Sequence, residues 1–233
     1  MDYNIKVIIW VKNLSRRKRG APQKEERTKR IQEWKPRTQL GRLVVEGKIN
    51  SLEESFAEGM KVREPQIVDM LLPNIEEEVI NVSLVQKQSD AGEKSRFKAI
   101  VAVGNRDGYL GLGAGKAAQV RNAIEKAAAN ARLNITIVRR GCGSWECGCG
   151  KLHSLPFQVR GKCGGVEILL VPGPRGVGIV ASEAAKVILG LAGVKDVWTR
   201  SFGSTRTVPS FAFAVFDALK KTYTLVTPTE WVR

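Results

Sequence analysis

Acidic side chains are scarce. The 233 residues hold 23 aspartates and glutamates against 38 lysines and arginines, a formal charge of +15 with a sequence pI near 9.9. Missing too is any apolar run near the ~18 residues that a membrane-spanning helix requires. The closest stretch, Ile5 to Val11, is short and carries Lys6, so it is neither a span nor a good signal peptide and reads as an N-terminal strand or a poorly ordered start. The expected setting is cytoplasmic, with no membrane partner. At 43% hydrophobic and 26% charged residues, disorder throughout is excluded.

The sequence also lacks the marks of nucleotide chemistry. "GYLGLGAGKA" (108–117) looks like a phosphate loop opening a helix, but Leu110 stands where a Walker loop needs its first glycine. Lys116 is followed by Ala117, so no hydroxyl is placed for magnesium. The dinucleotide fingerprint fails because Gly111, Gly113 and Gly115 are evenly spaced. Two readings remain open for this stretch: a backbone cradle for a phosphate oxygen at a helix N-terminus, or a tight strand-to-helix turn in which glycine eases packing. A second Gly-rich turn, "PGPRGVGI" (172–179), carries Arg175 ahead of a helix, again with no carboxylate pair or nucleophile.

What is present is positive charge, and it is concentrated. Lys12 to Lys48 contains thirteen basic residues and four acidic ones, with too few large apolar side chains to fold on a core of its own. Such a segment suits a polyanion, because every phosphate it neutralises releases condensed counterions.

Downstream, Ser51 with Glu54 makes a capping box, and Pro65 suits a first helical position ahead of Ile67, Val68, Leu71 and Leu72, with Pro73 ending that helix. Period-two alternation in "VINVSLVQKQ" (79–88) and "RFKAIVAVG" (96–104) predicts two strands joined by the polar loop "SDAGEK" (89–94). A third strand, "GYLGLG" (108–113), precedes a helix from about Ala117 to Leu133 with Val120, Ile124, Ala127, Ala128 and Ala131 on one face. This three-stranded sheet backed by a helix is the layout of double-stranded-RNA-binding domains. Beyond a Cys-rich loop come strands "PFQVRG" (156–161) and "VEILLVPG" (166–173), the Gly-rich turn, a helix with Ala184, Val187, Ile188 and Leu191, a strand "VKDVWTR" (194–200), and a helix from about Pro209 to Lys221. That order predicts an α/β sandwich. The overall class is α+β. The expected divisions are a basic, partly extended arm (1–49), a helical lead-in (50–73), a double-stranded-RNA-binding-like domain (74–140), an α/β domain (141–221) with its Cys-rich loop at 141–153, and a tail (222–233).

Two constellations suggest chemistry. Cys142, Cys147, Cys149 and His153, the chain's one histidine, fall in "CGSWECGCGKLH" and make up a complete tetrahedral set for structural zinc. Their irregular spacing matches no standard finger, so unbound thiols are the alternative; disulfides fit a cytosolic chain poorly. Cys163 reads as a small packed residue. The loop "RSFGSTRT" gathers Arg200, Ser204, Thr205 and Arg206 before a helix, donors suited to a phosphate or ribose hydroxyl or, equally, to a helix cap.

"VINVSLVQKQSDAGEKSRFKAIVAVGNRDGYLGLGAGKA" followed by "PRGVGIVASEAAKVILGLAGVKDVWTRSFGST" resembles the small-subunit ribosomal protein five family, called protein two in eukaryotic cytoplasmic ribosomes. The resemblance covers about Ser51 to Trp231, and "SLEESF", "REPQIVDMLLP", "KKTYTLVTPTEW" and the Cys-rich loop are similar to its archaeal branch. It implies a second domain with a left-handed βαβ crossover. It also implies a structural, non-catalytic, rRNA-binding role near the decoding region and messenger entry channel, beside ribosomal proteins three and four, supporting translational accuracy. Lys87, Lys94, Arg96, Lys98, Arg106, Lys116 and Arg121, with Arg175 and the 200–206 loop, are then the expected RNA contacts. Two rivals remain: a free-standing double-stranded-RNA-binding regulator, and a small-molecule kinase, whose superfamily shares the second domain's fold.

Overall fold

The computed structural model describes residues 34–72 and 74–224. Most of the expected basic arm, the Ile5 to Val11 stretch, Pro73 and the end of the tail lie outside the described residues. The chain divides into two units, one ending at residue 73 and the other beginning at 74.

The first unit is helical. Helix α1 (Gln39–Val45) starts where the Thr38 hydroxyl accepts the Gly41 N–H at 3.1 Å, and it buries Leu40 and Val44. It is a helix that the sequence did not signal, inside the stretch expected as an arm. One carboxylate oxygen, Oε1 of Glu64, accepts the N–H groups of Arg37 (3.0 Å) and Thr38 (2.8 Å) and so fixes the chain entering it. Helix α2 (Leu52–Ala57) is capped as its sequence predicts: Ser51 Oγ accepts from Glu54 N–H at 3.2 Å. The returning carboxylate takes the N–H of Asn50, at 3.1 Å, rather than that of Ser51. Helix α3 (Pro65–Leu71) opens on its proline and buries Ile67 and Val68 completely.

The second unit holds two four-stranded sheets. In the first, β1 (Glu76–Ser89), β2 (Gly92–Gly104), β3 (Tyr109–Ala117) and β4 (Ile135–Ile137) pair antiparallel in that order, with helix α4 (Val120–Leu133) between β3 and β4. Three expectations change here. The expected polar loop 89–94 is mostly strand, since Ser89 pairs with Gly92 across a two-residue turn and Lys87 lies opposite Lys94. The third strand runs to Ala117, four residues past its expected end. The sheet gains a fourth strand, whose three residues are too few to show a period.

The extended β3 decides what its glycines are for. A β-carbon on Gly111 would lie 2.2 Å from the Ala131 carbonyl oxygen, one on Gly113 2.2 Å from Ala131 N, and one on Gly115 2.6 Å from Ala123 O. Helix α4 presses its own backbone onto the strand through Ala123, Ala127 and Ala131, all fully buried. The phosphate-loop reading therefore gives way to the packing reading, and Lys116 sits in a strand rather than at a helix N-terminus.

In the second sheet the order is β5 (Val159–Cys163), β6 (Val166–Pro172), β8 (Val197–Gly203), β7 (Ile179–Val180). Strand β7, expected as part of a turn, runs parallel to β8, and helix α5 (Glu183–Leu191) makes the crossover between them. Helix α6 (Val208–Lys221) follows, its Ala214 carbonyl close against Gly161 of β5.

One apolar cluster runs through both halves of this unit, joining Ile100, Ala102, Leu110 and Leu112 of the first sheet to Ile168, Leu170, Ile188, Leu189, Phe211 and Leu219. Each such fully buried branched side chain contributes roughly 2 kcal/mol. Gly193, with φ of +81°, would place a β-carbon 2.2 Å from the Arg106 carbonyl oxygen, so the two halves meet backbone to backbone there.

Two glycine substitutions separate close packing from mere helix weakness. Gly113→Ala is expected to lose about 3 kcal/mol in denaturant unfolding, because the contacting atoms are backbone and cannot swing aside. Gly190→Ala, in α5 with nothing within 4 Å of its would-be β-carbon, is expected to gain up to about 1 kcal/mol.

Candidate nucleic-acid interface and metal cluster

In a pleated sheet, residues directly opposite share a face and alternate residues along a strand return to it. The register pairs Lys87 with Lys94, Val85 with Arg96, Ser83 with Lys98, and Lys98 with Lys116. Five cations, Lys87, Lys94, Arg96, Lys98 and Lys116, thus occupy one face. Like charges directly opposite each other, as at Lys87/Lys94 and Lys98/Lys116, oppose folding unless an external anion joins them. Among the described residues none of the five has a carboxylate partner. The hairpin's opposite face carries Gln86, whose Nε2 donates to Glu93 Oε2 at 3.1 Å and to Ser95 Oγ at 3.2 Å. Acid and cation are therefore segregated by face. The cationic face is also that of Ile100 and Leu112, which the shared core covers, while the β3 glycines and α4 take the other.

The remaining expected contacts scatter. Arg106, in the left-handed region at φ of +58°, donates from Nη2 (2.7 Å) and Nε (3.0 Å) to Glu76 Oε2. Arg121 bonds Glu125 Oε1 at 3.1 Å, one turn along α4. Both pairs are exposed, so each is weak enough to be exchanged for a phosphate. Arg200 lies opposite Leu169, on the face of the second sheet turned away from α6, with its guanidinium 5.7 Å from the Phe202 ring centre. Ser204, Thr205 and Arg206 form an exposed turn into α6, where Thr207 Oγ1 donates to the Ser204 carbonyl at 2.8 Å.

Arg175 belongs to a different cluster. The Sγ atoms of Cys142, Cys147 and Cys149 and a ring nitrogen of His153 all lie within 4.8 Å of one another. Cys142 and Cys149 Sγ are 3.6 Å apart, and Cys147 Sγ is 3.8 Å from His153 Nε2. Around a tetrahedral zinc with bonds of about 2.3 Å to sulfur, neighbouring sulfurs sit roughly 3.8 Å apart, so the spacing fits the ion. All four cysteines are free thiols, and Cys163 packs beside the core, away from this group.

The cluster is held from behind. Buried His153 places Nδ1 2.8 Å from Asp196 Oδ2, where an N–H can donate to the carboxylate, and turns Nε2 toward Cys147. Asp196 Oδ1 takes the N–H groups of Gly178 (2.8 Å) and Gly176 (3.1 Å). Burial would raise the Asp196 carboxyl, but the Gly178 amide, His153 and the Gly176 amide together hold it below the usual carboxylate range. The Arg175 amide, followed by that of Cys149, lowers the Cys147 thiol to about 6, favouring the thiolate a metal needs. Cys142 is pushed up, first by burial.

Because the amides of Gly176 and Gly178 are committed to Asp196, the second Gly-rich turn does not present them to a phosphate. The loop's ends are closed by reciprocal backbone bonds between Gly141 and Ser154, at 2.8 and 2.9 Å. Asp196 itself, 43 residues beyond His153, had no sequence signal: an aspartate after a helix is unremarkable until the fold brings it under the imidazole.

Comparison with known proteins agrees with this architecture. Residues 75–139 match the family model for the ribosomal protein S5 N-terminal domain, and residues 161–228 match that for the ribosomal protein S5 C-terminal domain. A protein of Thermofilum pendens named small ribosomal subunit protein uS5 is 59% identical over 199 residues, 85% of this chain and 98% of its own. Its namesake in Pyrobaculum islandicum is 59% identical over 190 residues, covering 82% and 94%. That of Aeropyrum pernix is 58% identical over 201, covering 86% and 92%. With both domain models matched in order and archaeal relatives aligned along nearly their whole length, this chain belongs to the ribosomal protein S5 family, in its archaeal form.

Proposed function

We propose that the protein is a structural constituent of the small ribosomal subunit, working in the cytoplasm and binding rRNA through the cationic face of its β1–β2 hairpin. Family membership and relatives named for that subunit support the role, and the five cations on one face, without a carboxylate partner among the described residues, carry the RNA reading. In the finer part of this reading the contact lies near the decoding region and messenger entry channel, with ribosomal proteins three and four as neighbours and messenger RNA passing close by. The protein there supports accuracy by holding rRNA in place and has no catalysis of its own. The kinase alternative loses its footing where β3 glycines contact α4 and the amides of Gly176 and Gly178 bind Asp196. Co-sedimentation with small subunits at moderate salt separates the leading reading from a free-standing RNA-binding regulator, which would stay in the supernatant.

Replacing Lys87, Lys94 and Arg96 together by alanine is expected to flatten the slope of log affinity for rRNA against log salt by about 2 to 3, since each phosphate contact contributes a little under one. All three residues are exposed and the Lys87/Lys94 repulsion is relieved, so thermal stability should hold or rise slightly. An unchanged slope would remove the hairpin face from the reading.

We further propose that Cys142, Cys147, Cys149 and His153 hold a structural zinc ion. Four protein ligands leave no open position, so the ion would supply a cross-link that closes the loop, with Asp196 orienting the histidine. Metal analysis of protein purified with reductant and without chelator is expected to give about one zinc per chain, falling toward zero in Cys147→Ser. Asp196→Asn is expected to weaken zinc binding by about 10- to 100-fold while leaving the four ligands in place. Metal-free protein with unchanged folding would sink the zinc assignment.

A further inference from the structure

The cysteine loop exposes something its metal chemistry does not explain. Trp145 is 91% exposed, more than any other large apolar side chain among the described residues. It does not sit on a loose strand. Trp145 and Glu146 are the two central residues of a turn closed by the Cys147 N–H donating to the Ser144 carbonyl at 3.2 Å, and Ser144 at the base is buried. Cys142 and Cys147, on either side, are drawn into the sulfur cluster. The indole is therefore presented on a fixed platform, with much of the ordering that would otherwise oppose binding already done.

The segments adjoining this turn carry exposed cations. Lys151 lies between Cys149 and His153. Arg175 gives its amide to Cys147, and Lys195 gives its own to the His153 carbonyl at 2.9 Å; all three side chains are exposed. Glu146 is the one acid on the turn. A protein partner's interface core tends to exclude charge. An exposed aromatic ring on a loop whose adjoining segments carry exposed cations suits instead an unpaired nucleotide, whose base stacks on the ring while its neighbouring phosphates meet lysine and arginine side chains.

We infer that the turn bearing Trp145 is a stacking site for an unpaired RNA base, a second contact that reads single-stranded RNA where the hairpin face holds phosphates irrespective of pairing. The inference rests on the RNA-binding reading above and adds to it a ligand class, an unstacked nucleobase, that five lysines and arginines cannot recognise.

The test uses the full chain with two probes, a roughly 12-nucleotide single-stranded RNA and a roughly 12-base-pair RNA duplex, at one fixed salt concentration. Trp145→Ala is expected to weaken single-strand binding about tenfold and duplex binding less than about twofold; Trp145→Phe, which keeps a ring, should stay within about threefold of the parent on both. The single strand should quench tryptophan emission in the parent and lose most of that quenching with Trp145→Phe. Because the side chain is exposed, the variants should keep the parent's circular dichroism, and the phenylalanine variant guards against an effect of folding. Equal losses on both probes, no loss on either, or quenching that survives in Trp145→Phe would overturn the inference while leaving the hairpin reading intact. It is overturned as well if Trp145→Ala spares both RNAs but costs reconstituted small subunits a neighbouring protein. If the parent binds neither RNA, the RNA-binding reading fails and this inference falls with it.

Discussion

Helix α4 lies so near strand β3 that a methyl group on Gly113 would meet the Ala127 carbonyl at 2.3 Å and the Ala131 nitrogen at 2.2 Å. The alternate glycines of β3 and the buried alanines of α4 form the contact surface. This close approach assigns one face of the first sheet to the helix. The other face then carries the remaining tasks. Near Gly104 it joins the core shared with the second sheet through Ile100, Leu112 and Ile188, and toward the hairpin tip it turns outward as the row from Lys116 to Lys87. A one-residue slip of β2 against β3 would exchange the faces and send Lys98 toward α4.

Asp196 has a comparable place in the second half. Its two carboxylate oxygens divide their work between His153 and the amides of the 173–178 turn, and its main-chain N–H donates to the His153 carbonyl at 3.1 Å. One acidic side chain thereby joins the cysteine loop, the Gly-rich turn and the start of β8. The surface loop carrying Trp145 takes its position from this buried network, so the cysteine–histidine cluster and the exposed indole are two ends of one framework.

The hairpin is legible in the sequence because its alternation is long and its turn residues are polar. Only the loop's extent differs, since Gly92, Glu93 and Lys94 look like loop residues until cross-strand pairing is seen. Strands β4 and β7, of three and two residues, fall below the length at which a period can show. The apolar period locates helix α4 to within a few residues, yet its buried stripe includes Ala123 in place of Val120 and Ile124, which are only partly buried. Glycine on the facing strand reverses the usual preference by making the smallest side chains the ones that fit.

The grouping of Cys142, Cys147, Cys149 and His153, the positive charge and the family pattern can all be read from sequence, because each depends on residue type and local spacing. Which cations share a face, which glycine amides are already committed, and which distant carboxylate steadies the histidine are set by strand register and long-range packing. Those relations join residues as far apart as 43 positions, and no local period records them. The chain's chemistry is local, but its arrangement arises where backbone meets backbone, at β3 against α4 and at Asp196 beneath the loop.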